Sequence, residues 1–265
     1  MYIDTSSIHG IVDSLCHSFE ITPEELFLWL SSFYNQYFED REFMFLDSFI
    51  KTHIKNYPDE ILLFHYTRRL NSDHSINTGK NLITLLTTTN PFQEFLKEEG
   101  LTFQDENNQI NVYYQNKLVD IKSDEYLSLR FGQGTKTLDY GFNGFMFKDA
   151  YDPNGYKTHL EQGPEFLILL TVFLNRKDIL KKYYKNSTYY LYQYKIPIKS
   201  IIINKYPNLT TKKKAIYVIK KSMIYLIDHY YDIKEKLENP LVRYRDDKCI
   251  SSKYFIQREE IENKE

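Results

Sequence analysis

A short apolar run that ends in polar side chains most constrains how this chain folds. Residues 61–64 are all large and apolar, and residues 65–69 then add an imidazole, a hydroxyl and two guanidinium groups. The breaker Tyr57-Pro58-Asp59 precedes the run. An apolar stretch of this length, bounded by a breaker, is typical of a buried β-strand. The sequence therefore predicts a strand over residues 61–66 that places side chains able to bind a ligand at its end.

The composition fits a globular protein with its own core. The chain has 265 residues, of which 42% are hydrophobic and 26% are charged, and this is enough apolar material for one large domain with an extension. No apolar stretch approaches the length of a membrane span, and the first residues lack the pattern of a signal peptide. We therefore expect a cytoplasmic protein with no membrane partner. The cysteines and histidines show no metal-ligand spacing, so no metal is expected.

The charge is unevenly distributed along the chain. Residues 171–265 hold 21 Lys and Arg against 11 Asp and Glu, whereas the rest of the chain holds 13 against 25. The densest basic cluster is Lys212, Lys213 and Lys214, at the predicted start of a helix, where positive charge opposes the helix dipole. A nucleic-acid contact would explain the cluster. An ordinary solvated surface, or neutralisation of the acidic part of the same molecule, is the alternative.

Helical patterns dominate the first residues, and strand patterns follow. Thr22-Pro23-Glu24-Glu25 has a hydroxyl N-cap, proline at the first helical position and acids in the first turn. Beyond residue 58, strands are predicted at 109–114, 118–121, 139–147, 188–203 and 250–256, and helices at 91–99, 164–174 and from 210 onward. We predict an α+β fold, in which a helical N-terminal region (1–58) accompanies a split mixed β-sheet core (59–265).

The stretch from Phe64 to Arg68 resembles the first conserved strand of ADP-ribosyltransferases of the diphtheria-toxin and poly(ADP-ribose) polymerase type. The resemblance implies that His65 and Thr67 hold a ribose of NAD and that Arg68 or Arg130 meets its phosphates. It also implies an aromatic residue that stacks on nicotinamide. Tyr151, after the glycine-containing strand predicted at 139–147, is the candidate, and Tyr140 is the second choice. Glycine inside a strand indicates a bulge or the close approach of a ligand.

Two acidic residues compete for the catalytic position that the resemblance implies. Asp247 opens the last predicted strand, but the family usually has Glu there. Glu165 follows Gly163-Pro164, where an acid also favours the start of a helix. A carboxylate beside the ribose would stabilise the positive charge that develops when the bond to nicotinamide breaks.

The expected function is that of an NAD-dependent ADP-ribosyltransferase-like enzyme. It would act as a toxin or phage-defence effector that modifies nucleic acid or protein. The main alternative is a non-enzymatic module that binds nucleic acid or protein through the basic C-terminal third. A metal-free nuclease that uses His65 with an acid is a further alternative.

Overall fold

The computed structural model describes residues 1–37, 44–75, 79–133, 139–148, 155–203, 206–233 and 239–262. Two compact units make up the chain. The first holds Met1–Phe64, Gly144–Pro153 and Tyr194–Arg243, and the second holds His65–Asn143, Asn154–Gln193 and Tyr244–Glu265. The domain boundary at residue 58 stays a prediction.

Both helices and strands contribute substantially, and the α+β fold class is confirmed. The α-helices of the described residues are α1 (Ile8–Phe19), α2 (Pro23–Tyr37), α3 (Met44–His53), α4 (Leu82–Thr87), α5 (Pro91–Glu98), α6 (Glu125–Arg130), α7 (Tyr156–Glu161), α8 (Glu165–Phe173), α9 (Lys177–Lys185) and α10 (Thr211–Tyr230). The strands are β1 (Tyr2–Ile3), β2 (Glu60–Leu70), β3 (Leu101–Glu106), β4 (Gln109–Tyr114), β5 (Lys117–Leu118), β6 (Asn143–Phe145), β7 (Ser187–Pro197), β8 (Ile201–Ile203), β9 (Leu241–Tyr244) and β10 (Phe255–Glu260). Short 3₁₀ turns span Ile198–Ser200 and Ser252–Tyr254. None of these helices has the length and apolar character needed to cross a membrane.

In the first unit, a mixed sheet has the strand order β7-β2-β6-β9-β8, and β1 pairs with β2 in parallel. Strands β2 and β6 are antiparallel, with Phe64 opposite Phe145. A side chain at Gly144 would place its Cβ atom 2.6 Å from Leu63 Cγ and 3.0 Å from the Phe64 carbonyl oxygen. The sequence predicted a bulge or the close approach of a ligand at the glycines of this segment, whereas Gly144 accommodates the neighbouring strand.

Helix α2 begins where the sequence predicts, because its first turn is satisfied locally. The Thr22 hydroxyl accepts a hydrogen bond from the Glu25 backbone N–H at 3.2 Å, and the Glu25 carboxylate accepts one from the Thr22 N–H at 2.8 Å. This reciprocal pair is a capping box. Helix α10 begins in a similar way, with the Thr210 hydroxyl accepting a hydrogen bond from the Lys213 N–H.

The second unit contains the strand order β10-β7-β2 and a separate three-stranded antiparallel sheet, β3-β4-β5. A continuous apolar core joins the inner faces of β3 and β4 to α4, α5, α6, α8 and α9. Its largest fully buried members include Phe131, Tyr140 and Tyr183. The core therefore gathers helices and strands that lie far apart in the sequence.

Several strand predictions are wrong in their bounds, and two of them have a clear local cause. The strand predicted at 139–147 is reduced to β6, because the backbone N–H groups of Tyr140 and Gly141 donate to the Asp246 carboxylate. The strand predicted at 250–256 begins only at Phe255, because residues 252–254 form a 3₁₀ turn that the Ser251 hydroxyl caps. In both places a polar side chain satisfies backbone groups that a strand would otherwise pair.

Candidate functional site

Strand β2 separates its side chains onto two chemically different faces. Successive side chains of a strand point to opposite sides. Phe64, Tyr66, Arg68 and Leu70 are buried, whereas the residues between them are only half-buried. His65, Thr67 and Arg69 thus share one side of the strand, and we call these three residues the polar face of β2. The predicted residues His65 and Thr67 are brought together here, and Arg68 lies on the other side.

The imidazole of His65 is held in one neutral form. Its Nδ1 atom lies 2.7 Å from the Asn143 carbonyl oxygen. A carbonyl oxygen only accepts hydrogen bonds, so Nδ1 carries the proton and Nε2 is left as an acceptor. The ring also packs against Phe142, with 4.0 Å between the ring centroids. Burial, together with the positive charge of Arg69, lowers the pKa of His65 to about 3, and the ring stays uncharged at neutral pH.

Tyrosine rings from β7 lie beside the polar face. The Arg69 guanidinium carbon is 5.5 Å from the centroid of the Tyr192 ring, and Tyr190 and Tyr192 have their centroids 6.0 Å apart. The Arg258 guanidinium of β10 lies over the Tyr190 ring at 4.8 Å. Stacking of arginine on an aromatic ring is favourable and leaves the N–H edge of the guanidinium available. The second unit thus assembles neutral histidine, hydroxyl, arginine and aromatic groups on one side of its strands.

The chain matches no family model, no curated protein and no solved structure. The chemistry of the described side chains is therefore what bears on function.

Arg68 is engaged by protein acceptors. Its Nε donates to the Ser187 hydroxyl at 2.9 Å, and its terminal nitrogens donate to the carbonyl oxygens of Glu161 and Tyr184 at 3.0 and 3.1 Å and to that of Ser187. The guanidinium also lies 4.0 Å from the centroid of the Tyr184 ring. The residue is only 4% exposed. These contacts hold β2, β7, α7 and α9 together, and they use the donors that a phosphate would need.

Asp247 is an exposed, ionised carboxylate in the loop that follows β9. Arg245 donates two hydrogen bonds to it, at 3.0 and 2.9 Å, and this pairing lowers the pKa of Asp247. Its neighbour Asp246 accepts hydrogen bonds from the Tyr140 and Gly141 N–H groups. The segment 140–143 is therefore bonded to His65 at one end and to Asp246 at the other.

The other residues implied by the family resemblance have different surroundings. Glu165 is the half-buried first residue of α8, where its negative charge interacts favourably with the positive end of the helix dipole. Arg130 forms an ion pair with Asp139 at 2.8 Å and also donates to its carbonyl oxygen. The second-choice aromatic, Tyr140, is 1% exposed, and its hydroxyl donates to the Asn108 carbonyl oxygen at 2.6 Å. Tyr151 lies outside the described residues.

The basic cluster on α10 presents less charge than its sequence suggests. Lys214 is 8% exposed, its ammonium donates to the Ile201 carbonyl oxygen, and burial lowers its pKa. Lys212 lies 5.1 Å from the centroid of the Tyr57 ring. Lys212 and Lys213 are exposed at the surface of the first unit. A nucleic-acid contact of the cluster stays a prediction that depends on these two lysines.

Sequence reasoning missed Arg69, Tyr190, Tyr192 and Arg258. The signal for Arg69 was present, because the alternation of a strand places residues 65, 67 and 69 on one side. It went unused because the predicted strand ended at residue 66. The approach of the tyrosines and Arg258 depends on strand pairing between residues far apart in sequence, which periodicity alone does not give.

Proposed function

We propose that this protein is an NAD-dependent ADP-ribosyltransferase-like enzyme that binds the dinucleotide on the polar face of β2. The observation that supports the proposal most directly is the neutral imidazole of His65. Because its Nδ1 proton is donated to the Asn143 carbonyl oxygen, its Nε2 atom has the lone pair of a hydrogen-bond acceptor. A ribose hydroxyl is a suitable donor for that acceptor.

The neighbouring groups suit the rest of such a ligand. Thr67 adds a hydroxyl to the face that holds His65, and Arg69 adds a positive charge for a phosphate. Tyr190 of β7 is half-buried and supplies aromatic surface, whereas Tyr192 is fully buried beside Arg69. In this proposal Arg69 takes the phosphate role that the family resemblance gave to Arg68 or Arg130.

The proposed reaction breaks the bond between the ribose C1 atom and the nicotinamide nitrogen. Nicotinamide leaves with the electron pair of that bond, and positive charge develops on the ribose. A nucleophile of the acceptor then forms a bond to C1 and loses its proton. A carboxylate near the sugar stabilises the charge. The proposal assigns this role to Asp247 or Glu165, and Asp247 already has the required ionised form.

The biological setting belongs to the same proposal. The acceptor would be a nucleic acid or a protein, the location would be the cytoplasm, and the role would be that of a toxin or phage-defence effector.

The test is incubation of the purified protein with NAD that carries label in the adenylate part, together with cell lysate. We expect nicotinamide release and label transfer, both at least tenfold slower in His65→Ala. Asp247→Asn and Glu165→Gln show which carboxylate is catalytic, because only the substitution of that carboxylate should abolish turnover. His9→Ala is the matched control, since the His9 side chain is 88% exposed and belongs to the first unit. Equal nicotinamide release by His65→Ala and the unmodified protein, or none from folded protein, would refute the proposal.

A further inference from the structure

A small cavity in the second unit lies where β2 ends. Its volume is about 130 Å³. The residues that line it and bear on its chemistry are Arg69, Asn71, Asp73, His74, Tyr190 and Arg258. This volume lies well below the roughly 300–1,000 Å³ of pockets that enclose a drug-sized ligand. The cavity therefore suits one small chemical group.

Arg69 lines this cavity and has one donor without a hydrogen-bond partner among the described residues. Its side chain is only 14% exposed, and this donor is its buried Nε atom. Asp73 forms an ion pair with Arg69, but its carboxylate is 3.9 Å from Nη1, which is too far for a hydrogen bond. A buried charged donor without an acceptor is costly. Arg68, one residue earlier, has protein acceptors for its Nε and both terminal nitrogens, and the contrast indicates that Arg69 is built to meet an external acceptor.

Arg258 supplies a second guanidinium from a different strand. It is exposed, stacks on Tyr190 at 4.8 Å, and forms no ion pair with the described part of the chain. The ring fixes the plane of the guanidinium and leaves its N–H edge available. Two arginines from β2 and β10 thus line one cavity, and such pairs of planar donors favour an oxyanion.

The remaining polar groups are consistent with an anion. Asn71 already accepts a hydrogen bond from the Thr188 hydroxyl at 2.8 Å, which leaves its amide NH₂ as a donor. The negative charge of Asp73 repels an anion, but its Oδ1 atom accepts hydrogen bonds from the Ser75 N–H and hydroxyl at 3.0 and 2.6 Å. Two arginines against one aspartate leave the cavity with a net positive charge.

We propose that this cavity binds the terminal phosphate of a phosphomonoester. A phosphomonoester has three free oxygens to meet two guanidinium groups and an amide, whereas the phosphates within the pyrophosphate of NAD have two each. A single phosphate matches the volume of the cavity, and the remainder of the ligand stays outside. The site goes beyond the proposed NAD chemistry. It shares Arg69 with the proposed dinucleotide site, so a bound phosphomonoester excludes a phosphate of NAD from Arg69, but its binding does not require the transferase reaction.

The test is calorimetric titration of the full chain with inorganic phosphate, AMP, adenosine and NAD at low ionic strength. We expect one site per chain that binds phosphate and AMP in competition, binds NAD at least tenfold more weakly than AMP, and does not bind adenosine. Arg69→Gln and Arg258→Gln should each weaken AMP at least tenfold. Arg258 is exposed, so its variant keeps the test decisive even if Arg69→Gln does not fold.

Two further variants separate specific binding from general charge. Arg245→Gln removes an equally positive, exposed side chain of the same unit and should leave AMP affinity within twofold. Asp73→Asn removes the opposing charge and should tighten AMP binding, which a merely structural aspartate would not do. Failure to bind phosphate and AMP, or the same loss in Arg245→Gln as in Arg258→Gln, would overturn the proposal. Absence of nicotinamide release would not affect these measurements, so the two proposals fail independently.

Discussion

The neutral state of His65 predicts a specific loss of stability in mild acid. The pKa of His65 is lowered from 6.5 to about 3 in the folded protein by burial and by Arg69. The unfolded chain therefore binds a proton that the folded protein does not bind, at every pH between these values. Stability is fully present above pH 6.5 and is lost as the pH falls toward 3.

The size of the effect follows from the two pKa values. Between pH 7 and pH 5, an unfolded histidine becomes almost fully protonated while His65 in the folded protein does not. This difference in bound protons lowers the free energy of unfolding by about 2 kcal/mol between pH 7 and pH 5. His65→Gln keeps a polar side chain of similar reach but cannot titrate, so it lacks this contribution.

Urea unfolding at a series of pH values measures the effect. The free energy of unfolding of the unmodified protein should fall by about 2 kcal/mol more than that of His65→Gln between pH 7 and pH 5. His9→Gln is the control for loss of an exposed histidine. If the free energy of unfolding had the same pH dependence in the unmodified protein and in His65→Gln, the folded protein would take up the His65 proton as readily as the unfolded chain does. Nε2 would then not be held as an acceptor.

Two other variants test the packing that positions the site. Arg68→Gln should lower the free energy of unfolding by about 3 kcal/mol or more, because it removes charged hydrogen bonds and leaves buried acceptors without donors; a loss below about 1 kcal/mol by urea unfolding would contradict a structural role for Arg68. Gly144→Ala should cost about 1–3 kcal/mol, since its Cβ atom would lie 2.6 Å from Leu63 Cγ and 3.0 Å from a carbonyl oxygen; an unchanged thermal midpoint would show that β2 and β6 can move apart without cost.

Features that depend on neighbours in sequence could be predicted. The start of α2 is an example, because Thr22 and Glu25 satisfy each other within one turn. The start of α10 at Thr210 has the same local cause. The strand character of residues 61–64 also follows from a run of apolar residues between breakers. Each of these elements needs information from only a few adjacent positions.

Features that depend on distant partners could not be predicted. Whether Asp246 or Asp247 engages the backbone is decided by contacts to Tyr140 and Gly141, more than 100 positions away. Both acids are aspartates at adjacent positions, so the sequence does not distinguish them. The same contacts shorten the strand predicted at 139–147. Arg258 meets Tyr190 only because β10 pairs with β7. Local patterns contain no information on such pairings.

The adjacent pair Arg68 and Arg69 shows how strand register converts one sequence pattern into two roles. Strand β2 continues past its apolar run because Tyr66, Arg68 and Leu70 extend the buried side, and Arg68 tolerates burial since backbone and hydroxyl oxygens accept its donors. That same continuation fixes Arg69 on the opposite side with His65, where no hydrogen bond from the described residues reaches its buried Nε. A buried guanidinium needs acceptors from either the protein or a ligand. The protein supplies acceptors for Nε and both terminal nitrogens of Arg68, but none of the described residues accepts from Nε of Arg69. Binding on this strand should therefore depend on Arg69, and folding should depend on Arg68.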